Sequence, residues 1–547
     1  MILKKRNHSF LMFSSLSAML MNINIPRISD LGQIYHLLTV PRITVVLVLL
    51  FVIGYNFFRR SGRLNFPVVE NREEADYRLA IREGVAKFPN SPFTISDDPL
   101  FVVAPKSTIS DIKSFTQDSA SFSKHLQYLF HSNITNIGEH EDGALISVIR
   151  NDISRQLVTT LGILQDEAIF GFDSCFGPSR DWTPVTLYPA IAKIVTLISG
   201  RLFLGRPLSR NEELINTSIK FTIQATNVRD ALAKRPKWFR KFLSPFYEEI
   251  KSIFNIKKEF AEIIRPMIDA HLAKEGDGKL YSDEGDEQGK FIACLIDRMP
   301  PEKRGNIQYL TNQLLSLSFA SIHTTSITAT QAIYDLASYR EYIPLLVDEI
   351  KEVMAEDGYD TADDGSVRLR KTSLPKFLKL DSFLKESQRV SPLSLVALRR
   401  LVTSDLILST GHLIPKGTHL CYPSWEIYNE STTLYLDGYT KPLNKFDGLR
   451  YYNLRRLPGN ANRYYFVSAA PDSLQFGYGN QLCPGRFLAN NQIKVILIEL
   501  LLNWDIRFPD DVKMEGGAWR RPKNNFVKFD CRPDMKASVE LRRRKNT

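Results

Sequence analysis

The stretch FGYGNQLCPGRFLA, Phe476 to Ala489, sets one cysteine in a Gly- and Pro-rich turn that runs straight into the apolar segment FLANNQIKVILIELLLNW. No other feature constrains the fold as tightly. Gly477 and Gly479 permit positive φ and a close backbone approach. Pro484 fixes φ just after the cysteine, where a helix can begin. The segment that follows is too apolar to face water, so it predicts a buried helix with Cys483 near its N-terminal end. There the free N–H groups and the positive end of the helix dipole favour a thiolate over a thiol. A lone cysteine is ordinarily an inert core residue. A sulfur sealed into such a loop as an anion is instead a poor solution nucleophile and a good metal ligand.

The other cysteines (Cys175, Cys294, Cys421 and Cys531) lie far from Cys483 and from one another, with no CxxC pair. That argues against a disulfide scaffold and for a reducing compartment. Within the 547 residues no linker, repeat or low-complexity run divides the body, although the length alone suggests several domains. The net charge of +11 suits a solvated basic surface, an anionic membrane or an acidic protein partner. Nucleic acid is not expected, because neither zinc-ligand spacing nor an RNP-type aromatic motif is present.

Ile43 to Phe58 reads ITVVLVLLFVIGYNFF, sixteen uncharged residues that are apolar all round. This is short of the roughly 20 that span a bilayer. Arg42 can snorkel, however, and the endoplasmic reticulum bilayer is thinner than average. A single membrane anchor is therefore expected, with helix at about 43–58. Arg59, Arg60, Arg63, Arg72 and Arg78 follow it closely, against Arg27 and Arg42 before it. The body is then cytoplasmic and the N-terminus luminal. The first 21 residues also mimic a signal peptide, so cleavage ranks second. In this orientation the sequons at Asn133, Asn216 and Asn429 stay free of sugar. RPKWFRKFLSPF, Arg235 to Phe246, reads either as a core-facing helix end or as a second, shallow membrane contact.

Short β-like pieces such as FVVAP occur up to about Thr135. Helical patterning then dominates to about Arg389. Its clearest case is Ile307 to Tyr339, 33 residues without Pro or Gly. An irregular region from Pro392 to Pro484 precedes the helix after the cysteine, and a β-like tail closes the chain. The expected class is mainly α with a minor β part.

The order Phe-x-x-Gly-x-x-x-Cys-x-Gly, carried by Phe476, Gly479, Cys483 and Gly485, resembles the haem-binding signature of the cytochrome P450 superfamily. The resemblance implies that Cys483 is the axial thiolate of a haem b iron. Where the family carries Arg or His, this chain has Gln481, which can donate a hydrogen bond but brings no charge. Neutralisation of the haem propionates then falls to other basic residues. Arg400 is the candidate, since RLVTSD and LILSTGHLIPKGT resemble the family's propionate-binding segment, although Arg399 is adjacent. Glu386 and Arg389 resemble its Glu-x-x-Arg pair, and Phe446 and Arg450 in FDGLRYY its later Arg, which implies a structural lock beneath the haem. FASIHTTS resembles the oxygen-activating segment. Ala320, Thr324 and Thr325 match it, while Ser321 replaces Gly and His323 replaces an acid. Thr324 would hydrogen-bond the oxygen and help deliver protons, and His323 is either a relay or a local cap.

The resemblance implies a P450 fold in residues 66–547, after an N-terminal segment and anchor in residues 1–65. It implies a monooxygenase of the fungal secondary-metabolism type at the endoplasmic reticulum. Electrons would come from NADPH through an NADPH-cytochrome P450 reductase, docked on the basic side near Arg486 and Lys494. The substrate would be an apolar small molecule. A terpenoid, in particular a diterpenoid, is favoured over an alkaloid or a polyketide. The rivals are a haem-thiolate rearrangement or dehydration enzyme that takes no external electrons, and a tethered binding protein in which Cys483 is only structural.

Overall fold

The computed structural model describes residues 64–544, apart from 74, 97, 139–142, 154–156, 158–159, 235–239, 241–245, 275–289, 362–366, 430–440 and 515–516. The expected anchor, and most of the expected second membrane contact, lie outside the described residues. Of the latter, Phe246 is described and is 72% exposed. Among the described residues no helix is long and apolar enough to cross a membrane.

Among the described residues of the compact unit Phe66–Thr547, thirteen α-helices have six or more residues: α1 Arg78–Lys87, α2 Phe122–Leu129, α3 Leu161–Phe176, α4 Leu187–Phe203, α5 Glu212–Ala233, α6 Glu248–Lys274, α7 Lys290–Arg298, α8 Ile307–Ser338, α9 Tyr342–Asp357, α10 Leu378–Val390, α11 Ser424–Asn429, α12 Arg450–Arg455 and α13 Arg486–Asn503. The longest, α8, has the predicted extent because nothing in its sequence breaks it. Asn306 caps it by accepting from the Tyr309 N–H at 3.0 Å. At 1.5 Å per residue it is about 48 Å long, enough to run through two cores. Its N-terminal half (Leu310, Leu314, Leu315, Leu317) packs with α5, α6 and α7. Its C-terminal half (Ala329, Ala332, Ile333, Leu336) packs with α3, α4, α9, α10 and α13. Between the two cores its surface is less covered: Ala320 and Thr324, one turn apart on the same face, are both exposed.

The β part is small. Strands β1 Val68–Val69, β2 Phe93–Ile95, β3 Asp98–Val103, β4 Ala120–Ser121, β6 Ala397–Val402 and β7 His419–Tyr422 form one sheet in the order β1-β2-β3-β7-β6-β4. In its register Phe101 of β3 faces His419 of β7, Arg400 of β6 faces Leu420, and Leu401 faces Ser121 of β4. A second sheet joins β5 Thr183–Thr186, β8 Trp504–Arg507 and β11 Ser538–Arg543. A hairpin of β9 Asn525–Val527 and β10 Asp530–Arg532 lies between them in sequence. All five cysteines are free.

Under this frame Glu386 of α10 is fully buried. Arg389 donates to its two oxygens at 2.8 Å each, Arg450 of α12 donates at 3.2 and 3.1 Å, and the Asp447 N–H donates at 2.9 Å. The other guanidinium N–H groups of Arg450 reach the carbonyls of Lys441, Pro442 and Lys445. Phe446 stacks on Tyr339 at 4.4 Å and 8°. The Glu386–Arg389–Arg450 lock expected from the sequence is thus complete, and every charge in it has a partner.

Candidate haem-thiolate site

The cysteine loop is shaped by its glycines. Gly477 and Gly479 have φ of +84° and +76°. A Cβ would lie 3.2 Å from the Gln481 carbonyl at the first and 3.2 Å from the Ile112 carbonyl at the second. Only glycine meets both demands without strain. The Cys483 N–H donates to the Phe476 carbonyl at 2.9 Å and closes the turn. The Phe476 ring packs edge-on against Phe466 at 5.4 Å. Gly485 caps α13, and a Cβ there would meet nothing within 4 Å. The loop is therefore tight at Gly477 and Gly479 and open at Gly485.

Two influences act in opposite directions on the Cys483 sulfur. Burial pushes its thiol up, and the Gly485 N–H and Arg486 only partly offset this. Desolvation outweighs the helix end because a thiolate loses its water shell in full and gains only one N–H. The sulfur thus favours its proton in the protein alone. A metal ion must displace that proton, which couples binding to deprotonation.

Gln481 is largely occupied. Its Oε1 accepts from the Phe122 N–H at 3.0 Å, and its Nε2 donates to the Ala120 carbonyl at 2.9 Å. Instead of standing in for a charge, the residue ties the cysteine loop to β4 and to the start of α2. Of the two adjacent arginines, Arg399 lies 3.7 Å from Asp530 and also donates to Ser394. Among the described residues Arg400 has no such acid. It is 3% exposed, its Nη1 donates to the Arg399 carbonyl at 2.8 Å, and its Nε has no partner. Burial lowers it to about 10. A guanidinium taken out of water without a counter-charge is costly unless something anionic joins it. Its carbon lies 5.6 Å from the Phe122 ring, next to the segment that Gln481 holds. This donor set fits haem: a sulfur for the iron and a buried, unmatched cation for a propionate.

On α8 the Thr324 hydroxyl donates to the Ala320 carbonyl at 2.7 Å, and the Thr328 hydroxyl to the Thr324 carbonyl at 2.9 Å. Thr325 is buried. His323 points elsewhere: its ring stacks on Phe319 at 5.8 Å, and Nδ1 lies 3.4 Å from the Tyr188 hydroxyl of α4. Burial, with Arg532 next, lowers it to about 4, so it is neutral near pH 7. Phe319 in turn packs edge-on against Phe130, just beyond α2, at 5.1 Å.

Two residues named for partner docking separate in the structure. Lys494 is buried against Asp381 at 2.9 Å and cannot present charge to a partner. Arg486 is half-buried, with Nη1 donating to the Cys483 carbonyl at 3.1 Å. The sequence reading passed over His125 of α2. Its ring is 1% exposed, Nδ1 lies 3.1 Å from His419 Nδ1, and Nε2 has no partner among the described residues. Nothing local marks it, because its neighbours come from β3 and β7.

A family model described as Cytochrome P450 matches residues 176–529. Over 515 residues the chain is 40% identical to a protein named Cytochrome P450 monooxygenase ascG from Acremonium egyptiacum, covering 92% of this chain and 96% of that one. It is 35% identical over 500 residues to Cytochrome P450 monooxygenase BOA7 from Botryotinia fuckeliana, covering 89% and 90%. The solved structure of retinoic acid bound cyanobacterial CYP120A1 shares the fold with a TM-score of 0.59 at 15% identity, covering 88% of this chain and 99% of that one. The chain belongs to the cytochrome P450 family, and like the fungal secondary-metabolism enzymes it matches along most of its length, it is an oxidoreductase of the monooxygenase kind.

Proposed function

We propose that this enzyme oxygenates an apolar small molecule of secondary metabolism, with a terpenoid, in particular a diterpenoid, as substrate. The supporting observation is the mid-helix face of α8, where Ala320 and Thr324 are exposed and the aromatic pair Phe319 and Phe130 stands beside them. Such a face offers two methyl groups, one hydroxyl and aromatic surface, which suits a hydrocarbon skeleton held near a single proton donor. Haem, when bound, supplies the iron at which dioxygen is split, one atom going to the substrate and the other to water, with an electron pair drawn from NADPH. Cys483 would hold the iron. Arg400 would hold a propionate. Thr324 would hand on a proton from its hydroxyl after releasing the Ala320 carbonyl.

Electrons are assigned to an NADPH-cytochrome P450 reductase in the endoplasmic reticulum membrane, with residues 43–58 as the anchor and residues 66–547 as the catalytic domain on the cytoplasmic side. Asn133 and Asn216 are exposed, so sugar on either would overturn that orientation.

The test is co-expression with a reductase, feeding of candidate diterpenes and mass spectrometry of the products. The expected result is a product heavier by one oxygen atom that needs NADPH. Turnover without NADPH would move the assignment to a rearrangement or dehydration enzyme. Cys483→Ser should abolish both the carbon monoxide band shared by haem-thiolate proteins and turnover. An unchanged spectrum would remove the haem reading altogether.

A further inference from the structure

We propose that His125 is a second, uncharged holder of a haem propionate, sharing that group with Arg400, and that His419 sets the tautomer that lets it do so. This rests on the haem reading above. His125 Nδ1 and His419 Nδ1 stand 3.1 Å apart, so one donates and the other accepts. His419 is clamped between Phe101, stacked at 4.9 Å, and Tyr128 at 4.2 Å. With its ring so held, the pair has two possible proton arrangements. If His419 donates, the His125 proton sits on Nε2 and becomes a buried N–H donor. If His125 donates, its Nε2 carries a lone pair, which would repel a carboxylate.

The surroundings select the first arrangement. His125 is held well below its ordinary value by burial, then by His419, Arg399 and Arg400, so the ring is neutral. His125 Nε2 and Arg400 Nε each lack a partner among the described residues, and an anion beside Arg400 is met by a proton on Nε2 and repelled by a lone pair there. Two buried N–H donors then share one neighbourhood. The Phe122 ring lies 5.6 Å from the Arg400 guanidinium carbon and 6.4 Å from the His125 ring. Buried donors are satisfied in almost every native protein. The group that satisfies two donors at once, one of them cationic, is an acceptor-only anion. The cysteine loop brings haem to this place, because Gln481 fastens the loop to Phe122, three residues before His125. The histidine thereby supplies a contact that the neutral Gln481, already bonded within the protein, leaves to others.

The test is haem release from the full-length, haem-loaded protein to excess apomyoglobin, using native haem and haem dimethyl ester. Four forms are compared: wild type, His125→Leu, His125→Gln and His419→Phe. With native haem, His125→Leu is expected to release about tenfold faster, the scale of one hydrogen bond to a charged group. His125→Gln, which retains an N–H donor, should stay close to wild type. His419→Phe should behave like His125→Leu. With the ester the propionate charge is gone, and the difference between His125→Leu and wild type should vanish. Equal release of native haem by wild type and His125→Leu, both with the thiolate spectrum intact, overturns the proposal alone. A tenfold difference that persists with the ester makes His125 a packing residue and overturns it too. A carboxylate from the substrate as the bound anion would show as an ester-insensitive difference that appears only when substrate is present, and that result likewise overturns the proposal. Wild-type protein that takes up no haem would sink the haem reading along with this inference.

Discussion

Two buried arginine sites stand close together in this sequence and are built on opposite principles. At the first, Arg389 and Arg450 close on Glu386, and each carboxylate oxygen accepts from both guanidinium groups. At the second, Arg400 is equally buried, has no ion pair among the described residues, and keeps an unpartnered Nε near the equally unpartnered Nε2 of His125. The first is finished by the protein itself and acts as a structural lock between α10 and α12. The second has no such partner among the described residues. Burial alone does not separate a structural charge from a ligand-binding one. The presence or absence of a partner supplied by the chain does.

Removing Glu386 should have the largest effect. Glu386→Ala leaves two arginines buried without their acid, which should lower unfolding free energy by about 3–5 kcal/mol and yield protein without haem. Urea titration and the haem-to-protein ratio report this, and full haem incorporation would break the comparison at its first site. Arg400→Leu should behave in the opposite way. It strips no carboxylate of a partner, so the urea midpoint of the haem-free protein should hold or rise, while haem release speeds up by about tenfold, or about 1.4 kcal/mol. A fall in apoprotein stability as deep as that of Glu386→Ala would erase the distinction.

Gln481→Ala probes the tie between the two regions. It loses the bonds to Phe122 and Ala120, near water that can replace them, so about 1 kcal/mol of stability should go. The smallest effect concerns His323, an interior group whose charge is disfavoured by burial and by Arg532 more than Asp530 favours it. Its folded value of about 4 lies below the ordinary 6.5. Below pH 6.5 the unfolded chain therefore binds a proton that the folded chain refuses. The stability this group contributes is present above 6.5 and is lost as pH falls toward 4. Between pH 7 and 6 the loss is about 0.7 kcal/mol. His323→Phe should remove that part of the pH dependence, and an unchanged slope in urea midpoints would refute the assignment.

Much of the site was legible in the residues because it is local. The glycines at 477 and 479, the proline at 484 and the apolar run after Phe487 constrain one another within a few residues, and the loop and α13 follow from them. The unbroken pattern of Ile307 to Tyr339 likewise gives α8 within one residue. Glu386 and Arg389 share a helix face, so half of the lock is local too. Other assignments depended on distant partners. Lys494 reads as a surface charge until Asp381 is found 2.9 Å away. Gln481 reads as a cofactor ligand until Phe122 and Ala120 claim it. His125 carries no signal until β7 sets His419 beside it. How strongly burial opposes the helix end at Cys483 was hidden for the same reason: the helix end is visible in the sequence, and the depth of burial is not.

The order of residues by itself determined the class of fold, the shape of the cysteine loop and the family, because each rests on short-range backbone constraints or on spacing along one chain. Only the tertiary structure decided which buried charges are matched and which are left open, since desolvation and charge pairing depend on what surrounds a group in space. A sequence shows that Arg399 and Arg400 are neighbours. Folding gives one of them an acid and leaves the other waiting for one.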